Sequence, residues 1–156
     1  MSTSSTPTAD RAVTAPADGS IDPRGPQLAA GVTALVLAAV LLLPAPASVV
    51  VLAVQVGLFA TGALRGVQAT PHAWLFRTLV RPRLGPPVEW EDPAPSRFAQ
   101  AVGLAFTLVG LVALLAGATL VGQVAVGLAL VAALLNAVFG LCLGCEVYLL
   151  ARRATA

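Results

Sequence analysis

The sequence predicts an all-α integral membrane protein whose four transmembrane helices form two tandem hairpins, with a short interfacial helix between them. Three observations carry this. Of 156 residues, 58% are hydrophobic and only 10% charged, whereas a soluble domain carries roughly 25% charge. The apolar residues gather into four runs of a length suited to the hydrocarbon core of a bilayer. All nine basic residues are arginines, and none lies in the two links that would close the hairpins. A chain this apolar has too little polar surface to coat itself, and hydrocarbon removes the need.

Taken in order, residues 1–26 are rich in Ser, Thr, Ala, Pro and Asp and offer little to bury beyond Val13 and Ile21. They read as a disordered tail. A membrane domain then occupies 27–153, with helices at about 27–43, 48–65, 98–117 and 121–150. The first run, Leu28 to Leu43, stops at Pro44. Ala45, Pro46 and Ala47 after it resemble a signal-cleavage site, so a cleaved leader is the alternative to a retained helix. The short uncharged link around Pro44 and Pro46 predicts a tight turn into the second helix.

Arg65 to Arg97 form a polar loop. Within it Trp74, Leu75, Phe76, Leu79 and Val80 interleave with Arg77 and Arg81, which predicts an amphipathic helix at about 71–81, lying at headgroup level. The alternative is a solvated loop. Trp74, Arg77 and Arg81 are the expected membrane-interface residues. The last run, Val121 to Leu150, exceeds what a bilayer needs and should project Glu146, Arg152 and Arg153 into water. Because the arginines lie in the tail, the central loop and the C-terminal end, the positive-inside rule puts both chain ends in the cytoplasm. The Ala- and Gly-rich, lysine-free composition suggests a GC-rich bacterial genome, hence a bacterial inner membrane.

The hairpins resemble each other. Asp22, Pro23, Leu28, Ala29 and Val32 recur seventy residues later as Asp92, Pro93, Phe98, Ala99 and Val102; at a shift of seventy-four, Gly66 falls on Gly140 and Trp74 on Tyr148. Two tandem hairpins of one orientation would be related by an axis along the membrane normal. The repeat also favours retention of the first helix, which has a counterpart in the third.

Small residues recur in stripes: Gly103, Gly110 and Gly117 on the third helix, Ala132, Asn136, Gly140 and Gly144 on the fourth. Such stripes allow close helix approach, and Asn136 reads as an interhelical hydrogen-bonding residue. No Asp, Glu, Lys, Arg or His falls within the apolar runs, which disfavours an ion-coupled transporter. The net charge of +2, without a dense basic run, excludes nucleic acid as the main partner.

The residues with chemistry to offer are Cys142 and Cys145, a CxxC expected at the cytoplasmic end of the fourth helix. Spacing three apart puts both sulfurs on one side of a helix, within reach of a disulfide. A thiolate would be favoured by Arg152 and Arg153 and opposed by Glu146. Two readings stay open: a redox pair, or two small apolar residues that pack. His72, the lone histidine, aligns with Glu146 under the repeat. With the cysteines it would make an incomplete zinc site, against its reading as a surface loop residue. No metal or cofactor is assigned.

These motifs resemble the bacterial membrane family called domain of unknown function 4395. The resemblance covers about residues 21–153 and rests on Ile21, Asp22, Pro23, Arg24, Gly25 and Pro26, on Val80 to Pro86, on Glu91 to Gln100, and on Leu134 through Tyr148 with its Cys-Leu-Gly-Cys-Glu core. It implies a retained four-helix membrane unit and no reaction. Members of that family occur alongside thioredoxin-like or sulfurtransferase-like proteins, so the resemblance makes such a cytoplasmic protein the expected partner of Cys142 and Cys145. The function expected is thiol–disulfide exchange or sulfur relay. The alternatives are a structural partner that binds another membrane protein through its glycine stripes, and a small-solute permease or channel. The lipid bilayer is the main surrounding partner, and a homodimer would cover some of the apolar surface.

Overall fold

The computed structural model describes residues 19–87 and 89–155. Four long helices, α1 (Arg24–Leu42), α2 (Ala45–Arg65), α4 (Pro93–Leu115) and α5 (Thr119–Phe139), are each apolar enough to cross a membrane. Their 19–23 residues rise about 1.5 Å each, which matches a hydrocarbon core of roughly 30 Å. Only 17–22% of each apolar window is buried within the protein. Much of the rest, including Leu35, Val54, Val109 and Val124, faces outward as it must in lipid. The chain is therefore a multi-pass membrane protein.

Two shorter helices, α3 (Pro71–Leu75) and α6 (Leu143–Ala154), follow α2 and α5 respectively. α3 continues through a π-helical turn at Phe76–Val80 and a 3₁₀ turn at Arg81–Arg83, so the polar loop is helical across the segment expected to lie at the interface.

Local chemistry sets the boundaries. Asp92 caps α4 by accepting the Ala94 N–H at 2.9 Å, and Asp22 accepts that of Arg24 at 3.1 Å. Proline at position 44 holds Leu43 extended and separates α1 from α2. Gly117, at φ +76°, turns the second link, and Gly140, at φ +68°, ends α5 with the Leu141 N–H reaching back to the Leu135 carbonyl.

That cap corrects the expectation of one helix over 121–150. The left-handed residue breaks the helix at Phe139, and the amphipathic remainder folds across α4 as α6, with Tyr148 against Phe98 at 5.7 Å. Order also begins earlier than expected. Ile21 pairs with Glu91, N–H to carbonyl in both directions at 2.9 and 3.0 Å, and α1 starts at Arg24. Residues 1–18 of the expected disordered tail lie outside the described residues.

α1 packs on α5 and α2 on α4, besides the contacts within each hairpin. At the centre Leu37, Leu52, Val126 and Thr107 are fully buried. The arrangement has approximate two-fold symmetry about an axis parallel to the helices. Ile21 bonds to Glu91, its own counterpart seventy residues on, as residues astride a two-fold axis do. Gln27 donates to the Ala137 carbonyl at 3.2 Å, while its counterpart Arg97 donates to the Ala63 carbonyl, counterpart of Ala137, at 2.7 Å. Gly66 and Gly140, both at positive φ, end the matching helices α2 and α5.

A candidate thiol site beside an apolar cavity

Cys142 and Cys145 are joined as a disulfide, with Cα atoms 5.2 Å apart. Cys142 is the N-cap of α6, and its sulfur accepts the Cys145 N–H at 3.3 Å. The sequence predicts the pair within the cytoplasmic end of the fourth helix; the Gly140 break instead puts it at the start of a separate helix. The consequence is electrostatic, because unpaired N–H groups and the helix dipole at an N-terminus favour a thiolate. Arg152 and Arg153, expected to supply that field, lie in the last turn of α6. At 1.5 Å per residue they are about 10 to 12 Å from Cys145 along the helix.

Residues of α1, α2, α4, α5 and α6 line a cavity of about 410 Å³, with Cys142 on its wall. Its walls are largely apolar, and Asn136 reaches it from α5. Gly144 fixes the seat of α6: a Cβ there would lie 2.7 Å from the Ala99 Cα.

The matching space under α3 is the more polar of the two. A cavity of about 130 Å³ is lined by Thr33, Gln55, Thr70, His72, Trp90 and Gln100, with Arg77 and Arg81 also on its wall. Gln55 is 1% exposed and its amide nitrogen lies 3.5 Å from the Thr33 hydroxyl. Counterparts correspond closely: Thr33 to Gly103, Gln55 to Ala129, Thr70 to Gly144, each second member lining the apolar cavity. The sequence signal for the polar cavity was present, since Gln55 and Gln100 interrupt apolar runs, but a search for charged residues alone passes over them.

His72 belongs to the polar cavity, where burial pushes its pKa below the ordinary histidine value. It does not join the cysteines, and among the described residues no three of His, Cys, Asp and Glu converge as a metal site. Burial pushes the Asp22 carboxyl up, but hydrogen bonds from the Arg24 side chain and backbone, with the charges of Arg24 and Arg81, outweigh it and hold the pKa below the usual value. The Arg24–Asp22 ion pair is 2.8 Å long. Arg81 sits over the Trp90 ring at 5.6 Å, whereas Trp74 is 60% exposed and Arg77 is exposed.

The glycines divide by role. Gly103 faces Phe59, with a Cβ there falling 2.5 Å from the ring, and Gly110 faces Val126 and Leu52. These contacts lie within the chain, so the stripe is occupied by the protein's own helices. Gly117 and Gly140, expected to pack, turn the backbone instead, with nothing within 4 Å of a Cβ. Asn136 is expected to bond to another helix. Its side chain makes no hydrogen bond among the described residues.

No curated protein and no solved structure matches the chain. A family model described as a domain of unknown function, DUF4395, matches residues 21–153. That span runs from the residue that bonds across the symmetry axis to the last turn of α6, and the chain belongs to the DUF4395 family.

Proposed function

We propose that this protein exchanges electrons between its Cys142–Cys145 pair and a soluble thiol protein, in the cytoplasmic membrane with both chain ends on the cytoplasmic side. The observation that carries it is the disulfide at the start of α6, with a backbone N–H directed at the Cys142 sulfur. Orientation follows from the arginines, all of which lie outside the two hairpin links. Electrostatics favours Cys142 as the attacking group, since the backbone N–H groups and dipole at the start of α6 stabilise negative charge on its sulfur.

In the reducing direction the Cys142 thiolate attacks a partner disulfide, forms a mixed disulfide and releases one partner thiolate. Cys145, as thiolate, then attacks the Cys142 sulfur, closing the internal disulfide and releasing the second partner sulfur as a thiolate. Two electrons pass to the partner, whose two sulfurs take up two protons. The expected partner is a thioredoxin-like or sulfurtransferase-like cytoplasmic protein.

Trapping thiols in intact cells with a permeant mass tag tests the reading. A pair that shifts between untagged and doubly tagged forms under oxidant and reductant is the expected result, with the Cys142→Ser/Cys145→Ser variant losing function in a knockout. Thiols that stay reduced under oxidant, or full rescue by the double variant, would overturn it.

A further inference from the structure

Resting on the thiol-exchange reading, we infer that the apolar cavity beside Cys142 is a binding site for a lipid-soluble quinone, which accepts the electrons of the Cys142–Cys145 pair. The cavity lies between membrane-spanning helices, and Phe106, Leu128 and Val131 on its walls are 38%, 54% and 54% exposed. It is therefore open sideways to the phase in which a quinone dissolves. At about 410 Å³ it falls in the size range of small-molecule sites, which are mostly apolar with a few polar groups.

The polar groups on its walls are Thr33, Ser96, Gln100 and Asn136. Of these Asn136, half-buried in the last turn of α5, has no hydrogen bond from its amide among the described residues. A quinone carbonyl supplies the missing acceptor, and the hydrogen bond strengthens as charge builds on that oxygen during reduction. A lipid acyl chain would fill the same volume but would leave the amide unpaired. The cysteines add the second requirement, because a dithiol that becomes a disulfide gives up two electrons and two protons. A quinone takes both: two S–H bonds break, one S–S bond forms, and the two carbonyl oxygens become hydroxyls.

The test uses the full-length protein in lipid nanodiscs, reduced and mixed without oxygen with decylubiquinone or, separately, with glutathione disulfide. Wild type should lose both thiols to decylubiquinone with one quinol formed per disulfide. Ala133→Phe and Val102→Phe, two independent ways of narrowing the cavity, should slow that reaction while oxidation by glutathione disulfide continues. Asn136→Leu should weaken the quinone by about tenfold, the value of one hydrogen bond near 1.4 kcal/mol. Normal oxidation by glutathione disulfide with no reaction toward decylubiquinone, or equal quinone rates in wild type and all three variants, would overturn the quinone site alone. Failure of both oxidants would overturn the thiol-exchange reading and this step with it.

Discussion

The two halves of the molecule share a scaffold and differ in what they enclose. Each opens on an Asp-Pro cap, crosses twice, ends its second helix at a glycine of positive φ and lays a short helix over the first. Reciprocal bonds tie the halves together, Gln27 to Ala137 and Arg97 to Ala63. The space under α3 is lined by Gln55, Thr70 and His72, that beside α6 by their counterparts Ala129 and Gly144 and by Cys142, while Thr33 borders both. Symmetry has been kept where backbone meets backbone and lost where side chains face a cavity. This division separates residues that maintain the bundle from residues that give each cavity its chemistry.

The largest effect should come from the seat of α6. A leucine at Gly144 would drive its Cβ into the Ala99 backbone, which has no flexible end to move aside. Gly144→Leu should cost about 3 kcal/mol, with α6 lifting off α4 and hydrogen exchange rising across 141–154. Its counterpart Thr70→Val removes two hydrogen bonds of one hydroxyl, donated to the Val67 carbonyl at 2.8 Å and accepted from the Ala73 N–H at 3.3 Å, together worth about 1.5 kcal/mol. Equal costs at the two positions would mean that the short helices are held in the same way.

A smaller difference is expected at the reciprocal bonds. Arg97 donates to the carbonyls of Ala63 and Leu64 at 2.7 and 3.1 Å, at the C-terminal end of α2, where a positive charge also complements the helix dipole. Gln27 makes one neutral bond in the matching place. Arg97→Ala should lower stability by about 2 kcal/mol and Gln27→Ala by about 1, measured by unfolding in mixed micelles. A reversed order would show that charge contributes nothing at these helix ends.

Much of this was legible from residues alone. Four spans, the tight proline link, the helix after Arg65 and the repeat all follow from runs of apolar residues, proline chemistry and recurring Asp-Pro. The break at Gly140 was equally written there. Gly66 aligns with Gly140 and the chain leaves α2 after Arg65, so the second copy should have left its helix at the same place. Hydropathy masked this, because Leu141, Leu143, Val147 and Leu149 continue the apolar pattern past the break. Which helix faces enclose a cavity could not be read, since that depends on how all the helices pack together. The fate of the Gly103 and Gly110 stripe is likewise a matter of tertiary packing: small residues announce a close approach without naming the helix that makes it.

The smallest effect concerns the two capping aspartates and separates them by pH. Asp22 is almost buried and ion-paired with Arg24, while in the second half Ala94 stands where Arg24 does, so Asp92 caps without a cationic neighbour at that position. The folded-state pKa of Asp22 is lowered, so the pair adds stability above the ordinary aspartate value and loses it as pH falls through the lowered one. Asparagine caps a helix about as well as aspartate. Asp92→Asn should therefore be nearly neutral at pH 7, whereas Asp22→Asn should cost about 1 kcal/mol and flatten the decline in melting temperature between roughly pH 5 and pH 2. If Asp22→Asn melts with the wild-type pH dependence, the acid sensitivity lies elsewhere and the Arg24 pair is no more than a surface contact.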